Sequence, residues 1–480
     1  MKKDSGESFR EAPQLRAQNI LKTKRLGIFD KSLFCIQTPS GGITFFQLVI
    51  PLLFELILNN LLNTINTVVL SGYDNNAVIA TGSVTVLFSL ISVFFAALAT
   101  GASVVISNLL GAQERRKAAE VAGVAVLLCL LIGCVCAVGF FLFAEKIAVL
   151  FALSGEPLRL AIIYMKNRAP ELVFFALSTT LLAVLRCYGH TIYTVLVGLL
   201  KNVINVVTAY YAVNLAVLPA LSGVGGVAIG SMTSQAIAFL IAAMVMVKKK
   251  TMPAFPENLK TTRAYCWRII KIGVPTCLAS ASYSMTQMVT NTFAAQLGDF
   301  TISVKLYFSN ILCYAYLCSS AIGQANSIMT GWLYGAKRYE QIHRLNKTLL
   351  CFSVPSNLAV SLMILALRVP LLSLFTEDPA VFSVAVAVFF LDIFIEQTRA
   401  FSHVYEYSLR SMGDVTTVMV ATVISGWVLG VGLSYLLSVV CGLGIIGFYI
   451  GFLADEAARA AVSLTRWAYN RKVFRHSSAQ

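Results

Sequence analysis

The sequence predicts an all-α integral membrane protein with twelve transmembrane helices, arranged as two six-helix parallel-repeat lobes around a central cleft. Composition is the first observation that predicts it. Of the 480 residues, 58% are hydrophobic and only 12% are charged, whereas soluble domains carry about 25% charged residues. The apolar residues also fall into twelve runs, each able to supply the roughly 20 residues that cross a bilayer. Finally, the second half of the chain repeats short motifs of the first half that contain Pro, Gly and Arg.

The loop signals between the apolar runs give the approximate bounds of the twelve helices. They are 45–70, 78–107, 119–143, 161–185, 191–214, 223–247, 270–296, 302–330, 348–370, 380–409, 415–440 and 444–468. The predicted organisation is an N-terminal tail (1–41), an N-terminal lobe (42–247), a linker (248–266), a C-terminal lobe (267–469) and a C-terminal tail (470–480).

Alternate loops differ strongly in positive charge. If the N-terminus is cytoplasmic, the inward loops carry sixteen Lys and Arg residues, and the outward loops carry only Lys146, Arg159, Lys305 and Arg368. Cytoplasmic loops of membrane proteins carry such an excess. We therefore expect a multi-pass protein of the plasma membrane, in a bacterium the inner membrane, with both termini in the cytoplasm. The net charge of +15 then reflects membrane orientation and does not indicate nucleic-acid binding.

Short motifs recur at one constant offset. "VIP" at 49–51 returns as "GVP" at 273–275, "LLGA" at 109–112 as "LYGA" at 333–336, and "LRCYG" at 185–189 as "LRSMG" at 409–413, each 224 residues later. Because six is an even number of helices, both lobes begin on the same side of the membrane. Parallel repeats of this kind are typical of secondary transporters.

These motifs resemble those of the multidrug and toxic compound extrusion (MATE) transporters. The resemblance rests on "LVIPLLFELILNNLLNTINTVVLSG", "SNLLGAQERRKAAEVAG", "LRCYGHTIYTVLVGLLKNVINV" and "YSLRSMGDVTTVMV", and it covers roughly residues 42–468. It implies an antiporter that exports organic, often cationic, compounds in exchange for Na+ or H+.

The resemblance also implies acidic residues at four places, where this chain has other residues. Asn66 stands at the acid position of helix 1, and Ala209 at that of helix 5, four residues after Asn205. Tyr283 and Arg399 stand at the corresponding positions of helices 7 and 10. The coupling site must therefore use other residues.

A polar stripe in helix 10 is the main candidate. "LDIFIEQTRAFSHVYEYSLR" (391–410) contains Asp392, Glu396, Arg399, His403, Glu406 and Arg410. At 100° per residue, all six lie within an arc of about 80°. Ionisable groups inside a membrane are costly unless they face protein or water. We therefore expect the stripe to line the cleft, with Glu396 and Arg399 near the midplane.

The functional hypothesis makes Glu396, with Asp392 or His403, the group that binds the coupling ion. Arg399 and Glu406 would modulate it. The alternative is local neutralisation, because Glu396–Arg399, His403–Glu406 and Glu406–Arg410 have the i,i+3 or i,i+4 spacing of helical pairs.

In helix 1, Glu55, Asn59, Asn63 and Asn66 share one face. Glu55 is a second candidate for binding the ion, unless these residues only bond neighbouring helices. The predicted substrate-cleft residues are Asn59, Asn63, Asn66, Asn205 and Tyr283.

Two cations need explanation. Lys201 in helix 5 requires an acidic partner, Glu55 or Glu396, unless it extends to the membrane surface, and it is a third candidate modulator. Arg168 occupies the position in the repeat that corresponds to Asp392. A salt bridge between these two residues would close the outer side of the cleft.

The sequence carries no HExxH, GxSxG or P-loop motif, so we do not expect an enzyme. No metal or cofactor is predicted apart from H+ or Na+ as the coupling ion. The expected partners are a small organic substrate and the lipid bilayer, with a monomer as the functional unit. The alternative function is a flippase for lipid-linked or oligosaccharide cargo, which would want a cationic cleft for phosphates.

Overall fold

The computed structural model describes residues 35–38, 41–71, 75–151, 153–214 and 223–477. A short antiparallel hairpin, β1 (Cys35–Thr38) and β2 (Gly41–Thr44), precedes the first helix. Helices make up nearly all of the rest, which confirms the predicted fold class apart from this hairpin.

The N-terminal lobe contains six helices, of which the fourth is bent into two segments. They are α1 (Phe45–Ser71), α2 (Asn75–Gly111), α3 (Arg115–Leu142), α4a (Gly155–Arg168) with α4b (Glu171–Cys187), α5 (Thr191–Asn214) and α6 (Gly223–Lys248). A short helix, Ala144–Leu150, follows α3.

The C-terminal lobe repeats this order. Its helices are α7 (Leu259–Gln296), α8a (Asp299–Leu312) with α8b (Leu317–Gly335), α9 (Tyr339–Ala366), α10 (Pro379–Ser411), α11 (Val415–Ser425) and α12 (Ile445–Ser477). A short helix, Arg368–Leu372, follows α9, and α11 continues as π-helical turns over Gly426–Leu433 and Leu436–Val440.

Within the described residues, seven helices are long and apolar enough to cross a membrane, and the bent α4 and α8 bring the number to nine. The remaining three, α1, α7 and α12, have 27, 38 and 33 residues. At about 1.5 Å per residue, each exceeds the ~30 Å of a bilayer core.

Two details differ from the sequence prediction. The second half of the predicted linker 248–266 is helical, because α7 begins at Leu259. Lys305, which the loop count placed among the outward loops, lies inside α8a with only 1% of its surface exposed. The assignment of Lys305 to a loop was therefore wrong.

The two lobes meet at one end of the bundle, which we call the basic end. It carries the connections 112–114, 249–258 and 336–338. A hydrophobic cluster there joins both lobes through residues such as Leu48, Leu185, Trp332 and Leu409. Two further clusters each lie within a single lobe. The lobes are thus joined at the basic end, and each has its own core beyond it.

The contact at the basic end follows the repeat. A Cβ on Gly111 would overlap the carbonyl oxygen of Trp332, and a Cβ on Gly335 would overlap that of Asn108. These pairs are 224 positions apart. Trp332 Nε1 donates to the carbonyl of Cys187 (3.1 Å), and Asn108 Nδ2 donates to that of Ser411 (3.2 Å). The close crossing of α2 and α8b is therefore pseudo-twofold symmetric.

Candidate ion and substrate site

The polar stripe of α10 packs mainly against α12. That helix brings its own buried charges, Asp455, Glu456 and Arg459, each 7% exposed or less. These three residues were not among the predicted site residues. The signal was present, because "DEAAR" (455–459) places three ionisable groups inside a predicted membrane span.

Arg399 is the centre of the resulting network. Its guanidinium pairs with Glu396 one turn away on α10, and its Nε lies 3.0 Å from an oxygen of Glu456 on α12. Arg459 lies 2.8 Å from both Asp455 and Glu456. Two guanidinium groups thus hold three carboxylates together between the helices.

Serine hydroxyl groups also donate hydrogen bonds to the two carboxylates of α12. Ser402 donates to Glu456 (3.2 Å), and Ser425 donates to Asp455 (2.6 Å). Charge-assisted hydrogen bonds of this kind hold a carboxylate in one orientation. Both α12 acids are therefore fixed by partners on other helices.

A cavity of about 250 Å³ lies beside this network, entirely within the C-terminal lobe. Tyr283, Tyr316 and Tyr449 contribute aromatic walls, and Asp392 and Arg399 contribute charge. Asp392 is 4% exposed and forms no salt bridge within the described residues. Of the helix 10 stripe, Asp392 and Arg399 line this cavity.

The charges around the cavity do not balance. Among the residues that the structure describes, Asp392, Glu396, Asp455 and Glu456 face two guanidinium groups, those of Arg399 and Arg459. If all are ionised, the formal charge is −2. Because buried charge is costly without a counter-charge, the site favours uptake of cations or protons.

The rest of the stripe lies outside this cavity. Glu406 pairs with Arg410 at 3.4 Å, one turn away. His403 packs edge-on against the ring of Tyr407, with centroids 5.8 Å apart. The predicted His403–Glu406 pair is not formed. The expectation that the whole stripe lines the cleft between the lobes stays a prediction; α12 packs over much of the stripe, and Asp392 and Arg399 line the cavity described here.

In the N-terminal lobe, Glu55 already has a counter-charge. It pairs with Arg186 of α4b and accepts a hydrogen bond from Thr194 (3.2 Å). The counterpart of Arg186 in the repeat, Arg410, instead pairs with Glu406 of its own helix. Glu55 therefore does not add an unpaired acid comparable to Asp392.

The predicted asparagine candidates bond within the N-terminal lobe. Asn202 donates to Asn59 (3.1 Å), and Asn205 donates to Ser231 (3.0 Å). The side chains of Asn63 and Asn66 lie outside the described residues, although the helix backbone continues through them. Among the substrate candidates, Tyr283 is the one that lines the described cavity; Arg459 lies 5.7 Å above its ring.

The predicted outer gate is not formed in this conformation. Arg168 lies 2.7 Å from Glu171 and donates to the Tyr164 hydroxyl (2.9 Å), whereas Asp392 lines the cavity of the other lobe. Lys201 interacts electrostatically with Glu171 and Glu55. Of its two predicted partners, Glu55 is thus the one nearby.

Both halves of the chain match one protein family. The MatE family model matches the chain twice, over residues 51–211 and 275–436, or about two-thirds of its length. The two matches begin 224 residues apart, which is the offset of the repeat. The chain belongs to the MatE family.

Its MatE relatives include bacterial transporters. The chain is 29% identical over 425 residues to the uncharacterized transporter YisQ of Bacillus subtilis, covering 88% of this chain and 93% of that one. It is 22% identical over 441 residues to the probable multidrug resistance protein NorM of Thermotoga maritima, covering 92% and 95%. This chain is therefore a membrane transporter of the MatE family.

Solved MatE-type structures share its fold. An outward-facing multidrug resistance MATE transporter of the MOP superfamily superimposes with a TM-score of 0.83 at 19% identity, covering 95% of this chain and all of that one. A MOP superfamily transporter from Pyrococcus furiosus, described as having a binding pocket of reversed polarity, gives a TM-score of 0.82 at 20% identity, covering 95% and 99%. These matches support the twelve-helix, two-lobed architecture.

Proposed function

We propose that the protein is a cation-coupled antiporter that exports small organic cations by alternating access. The observation that carries this proposal is the cavity of the C-terminal lobe, where four carboxylates face two guanidinium groups. A cationic substrate and a coupling ion, H+ or Na+, would compete for the same excess negative charge. Such competition is the thermodynamic basis of exchange, because each cation lowers the affinity for the other.

The proposed coupling carboxyls are Asp392 and Glu396. Glu456 and Asp455 are held by guanidinium groups, whereas Asp392 lines the cavity without a salt bridge among the described residues. Arg399 pairs with both Glu396 and Glu456. A cation that binds at the cavity would therefore change the strength of the Arg399–Glu396 pair relative to the Arg399–Glu456 pair. Arg399 thus modulates coupling in this proposal.

Aromatic side chains supply the surface for an organic cation. The guanidinium groups of Arg399 and Arg459 already lie 5.8 Å from the ring of Tyr316 and 5.7 Å from that of Tyr283. Cations are attracted to such ring faces. These rings can accept an organic cation in the same way when the cavity opens.

In the proposed orientation, the basic end faces the cytoplasm, as the positive-inside rule predicts. The protein acts as a monomer in the plasma membrane, with H+ or Na+ as its only cofactor. The flippase alternative is disfavoured, because a cavity with excess carboxylate repels a phosphate headgroup. Binding of a lipophilic cation, with no binding of a pyrophosphate lipid, would separate the two functions.

The test uses purified protein in liposomes, with uptake of a fluorescent lipophilic cation driven by a Na+ gradient or by a pH gradient, each collapsed separately. We expect Asp392→Asn and Glu396→Gln to abolish ion-driven uptake. Glu55→Gln, a matched change at a partly buried carboxyl of the other lobe, should retain coupling. Undiminished coupled uptake by both C-lobe variants would overturn the assignment of the site.

A further inference from the structure

A column of buried polar side chains runs from Glu396 toward the basic end, between α8b, α9 and α10. On α9 it consists of Asn346, Ser353, Asn357 and Ser361, each at most 1% exposed. Their spacings of seven, four and four residues place them on one face of the helix. From Asn357 to Asn346, the column extends about 16 Å along the axis.

Away from the basic end, at Asn357, the column contacts the candidate ion site. Asn357 Nδ2 donates to the backbone carbonyl of Glu396 (3.0 Å) and also bonds Ser319 of α8b. The charged groups that face Glu396 are Arg399, on its own helix, and Glu456, through Arg399. Asp392 lies one turn away on α10 and interacts electrostatically with the Glu396 carboxyl.

Near the basic end, the column reaches the last turn of α10. Asn346 Oδ1 accepts hydrogen bonds from Ser408 (2.8 Å) and Asn326 (3.1 Å). One turn further, the hydroxyls of Ser411 and Ser327 lie 2.7 Å apart. Ser411 is the final residue of α10 and accepts the Asn108 hydrogen bond that joins the lobes.

The polar atoms along this column outnumber their partners. Glu396 Oε2, Asn357 Oδ1, Ser353 Oγ and Asn346 Nδ2 are buried and have no hydrogen-bond partner among the described residues. Buried polar groups are normally satisfied by protein or by ordered water. Four such atoms in sequence along one interface therefore point to a row of bound water.

The other lobe shows that helix packing does not require this polarity. At the corresponding positions of the repeat, α3 carries Ala122, Cys129, Gly133 and Ala137 in place of the four polar residues. Leu172 stands in place of Glu396. The same interface is thus built from small and apolar side chains in the N-terminal lobe, and the polar column belongs to the lobe with the acidic cavity.

We propose that this interface binds a chain of water that carries protons between Glu396 and the basic end. The inference rests on the proposed role of Glu396 and adds the route by which its proton leaves. The proton passes from the Glu396 carboxyl to an adjacent water, moves through waters and the Ser353 hydroxyl, and emerges as hydronium at the basic end. The carboxylate that remains keeps its pair with Arg399.

The functional test compares three variants at or near Ser353 in liposomes that contain a pH-sensitive dye. Ser353→Val should lose most of the substrate-driven proton flux, whereas Ser353→Thr, of nearly equal bulk but with a hydroxyl, should retain it. Ser361→Val is the matched control, because Ser361 is also buried and has no hydrogen-bond partner in the described part of the chain, but it lies on the far side of Asn357 from the basic end. Substrate binding should be unchanged in all three. Equal loss in the Val and Thr variants of Ser353, or no loss in either, would overturn the proposal.

A second measurement tests the water directly. Leu349 is fully buried, between Asn346 and Ser353 on the same helix. Radiolytic hydroxyl-radical labelling with mass spectrometry should modify Leu349, because bound water generates radicals beside it. Phe95, equally buried at the position corresponding to Ser319, should remain unmodified. An unmodified Leu349 rejects the water chain whatever the coupling site is. If Glu396→Gln transports normally, the coupling site fails, and the labelling still decides the water chain.

Discussion

Arg399 shows how one side chain determines the behaviour of its surroundings. It is shared by Glu396 of its own helix and Glu456 of α12, and its side chain is only 16% exposed. Removing one partner of a buried ion pair leaves the other charge uncompensated, which costs about 3–5 kcal/mol. Arg399 therefore contributes to folding as well as to the proposed coupling.

We expect Arg399→Leu to lower the free energy of unfolding by about 3–5 kcal/mol, because the buried Glu396 loses its counter-charge and Glu456 keeps only Arg459. Thermal unfolding of the purified protein in detergent measures the change. Arg344→Leu, at an exposed position of α9, serves as the control, with an expected change within about 0.5 kcal/mol. Equal shifts in the two variants would show that Arg399 does not hold the network together.

Asp414, in the loop after α10, gives a prediction for pH. Burial opposes its charge, but hydrogen bonds from Arg466 (2.5 Å), Thr417 (2.6 Å) and Asn470 (3.3 Å) outweigh burial and hold the pKa of Asp414 below its usual value. A lowered pKa in the folded state stabilises the protein above the unfolded-state value, about 3.9, and this contribution is lost as pH falls through the folded-state value.

Asp414→Asn should therefore lower the melting temperature at pH 7, with the difference from wild type shrinking as pH falls below about 4. Melting curves between pH 7 and pH 3 measure this difference. Glu340→Gln, at an exposed carboxylate of the same end, should show no such trend. A difference that stays constant with pH would contradict an electrostatic role for Asp414.

Residue pairs were predictable from sequence only where they are local. The Glu396–Arg399 and Glu406–Arg410 pairs follow from helical spacing, and both form. The partners of Arg399 on α12 and of Arg186 on α1 are 57 and 131 residues away. Such contacts depend on which helix faces meet, and periodicity within one helix does not determine that.

At the scale of elements, the sequence predicted α1 and α10 to within two residues at each end, because apolar runs and loop signals are strong there. The bends of α4 (46°) and α8 (51°) were not predicted. Pro170 marks the break in α4, since proline lacks a backbone donor and limits the preceding residue. The break in α8 has no proline, so composition gave no signal for it.

The crossing of α2 and α8b depends on two glycines. A Cβ on Gly335 would overlap the backbone of Asn108. Because backbone atoms cannot move aside as a side chain can, α2 and α8b would have to move apart to make room for it. We expect Gly335→Ala to separate the lobes at the basic end and to favour the conformation that is open there. Distances between spin labels at exposed Lys117 and Glu340, measured by electron paramagnetic resonance, should lengthen.

Gly139→Ala is the matched control for this crossing, because nothing lies within 4 Å of its added Cβ. Its spin-label distances should equal those of wild type. An unchanged distribution in Gly335→Ala would mean that the closure at the basic end does not depend on the glycine contact.

At the scale of the whole molecule, the two lobes share one fold but differ in buried chemistry. In the N-terminal lobe, the partly buried Glu55 pairs with Arg186 and the buried Glu171 pairs with Arg168. The C-terminal lobe has excess carboxylate around its cavity and a polar column leading from it. The repeat therefore supplies the symmetry for rocking, whereas divergence between the lobes confines the proposed ion coupling to one of them.

This asymmetry requires a defined orientation, because the polar column can deliver protons to the cytoplasm only if the basic end faces it. Lys305 lies in the protein interior, and Arg186 and Arg410 are partly buried and pair with acids in helices. Without these three residues, fourteen basic residues remain on the predicted inward side and three on the outward side, so the bias persists. We expect alkaline phosphatase fused after Asp378 to be active in intact bacteria and the same reporter fused after Arg338 to be inactive. A C-terminal green fluorescent protein should fluoresce, because it folds in the cytoplasm. The reverse pattern of reporter activity would invert the direction of export and of the proposed proton route.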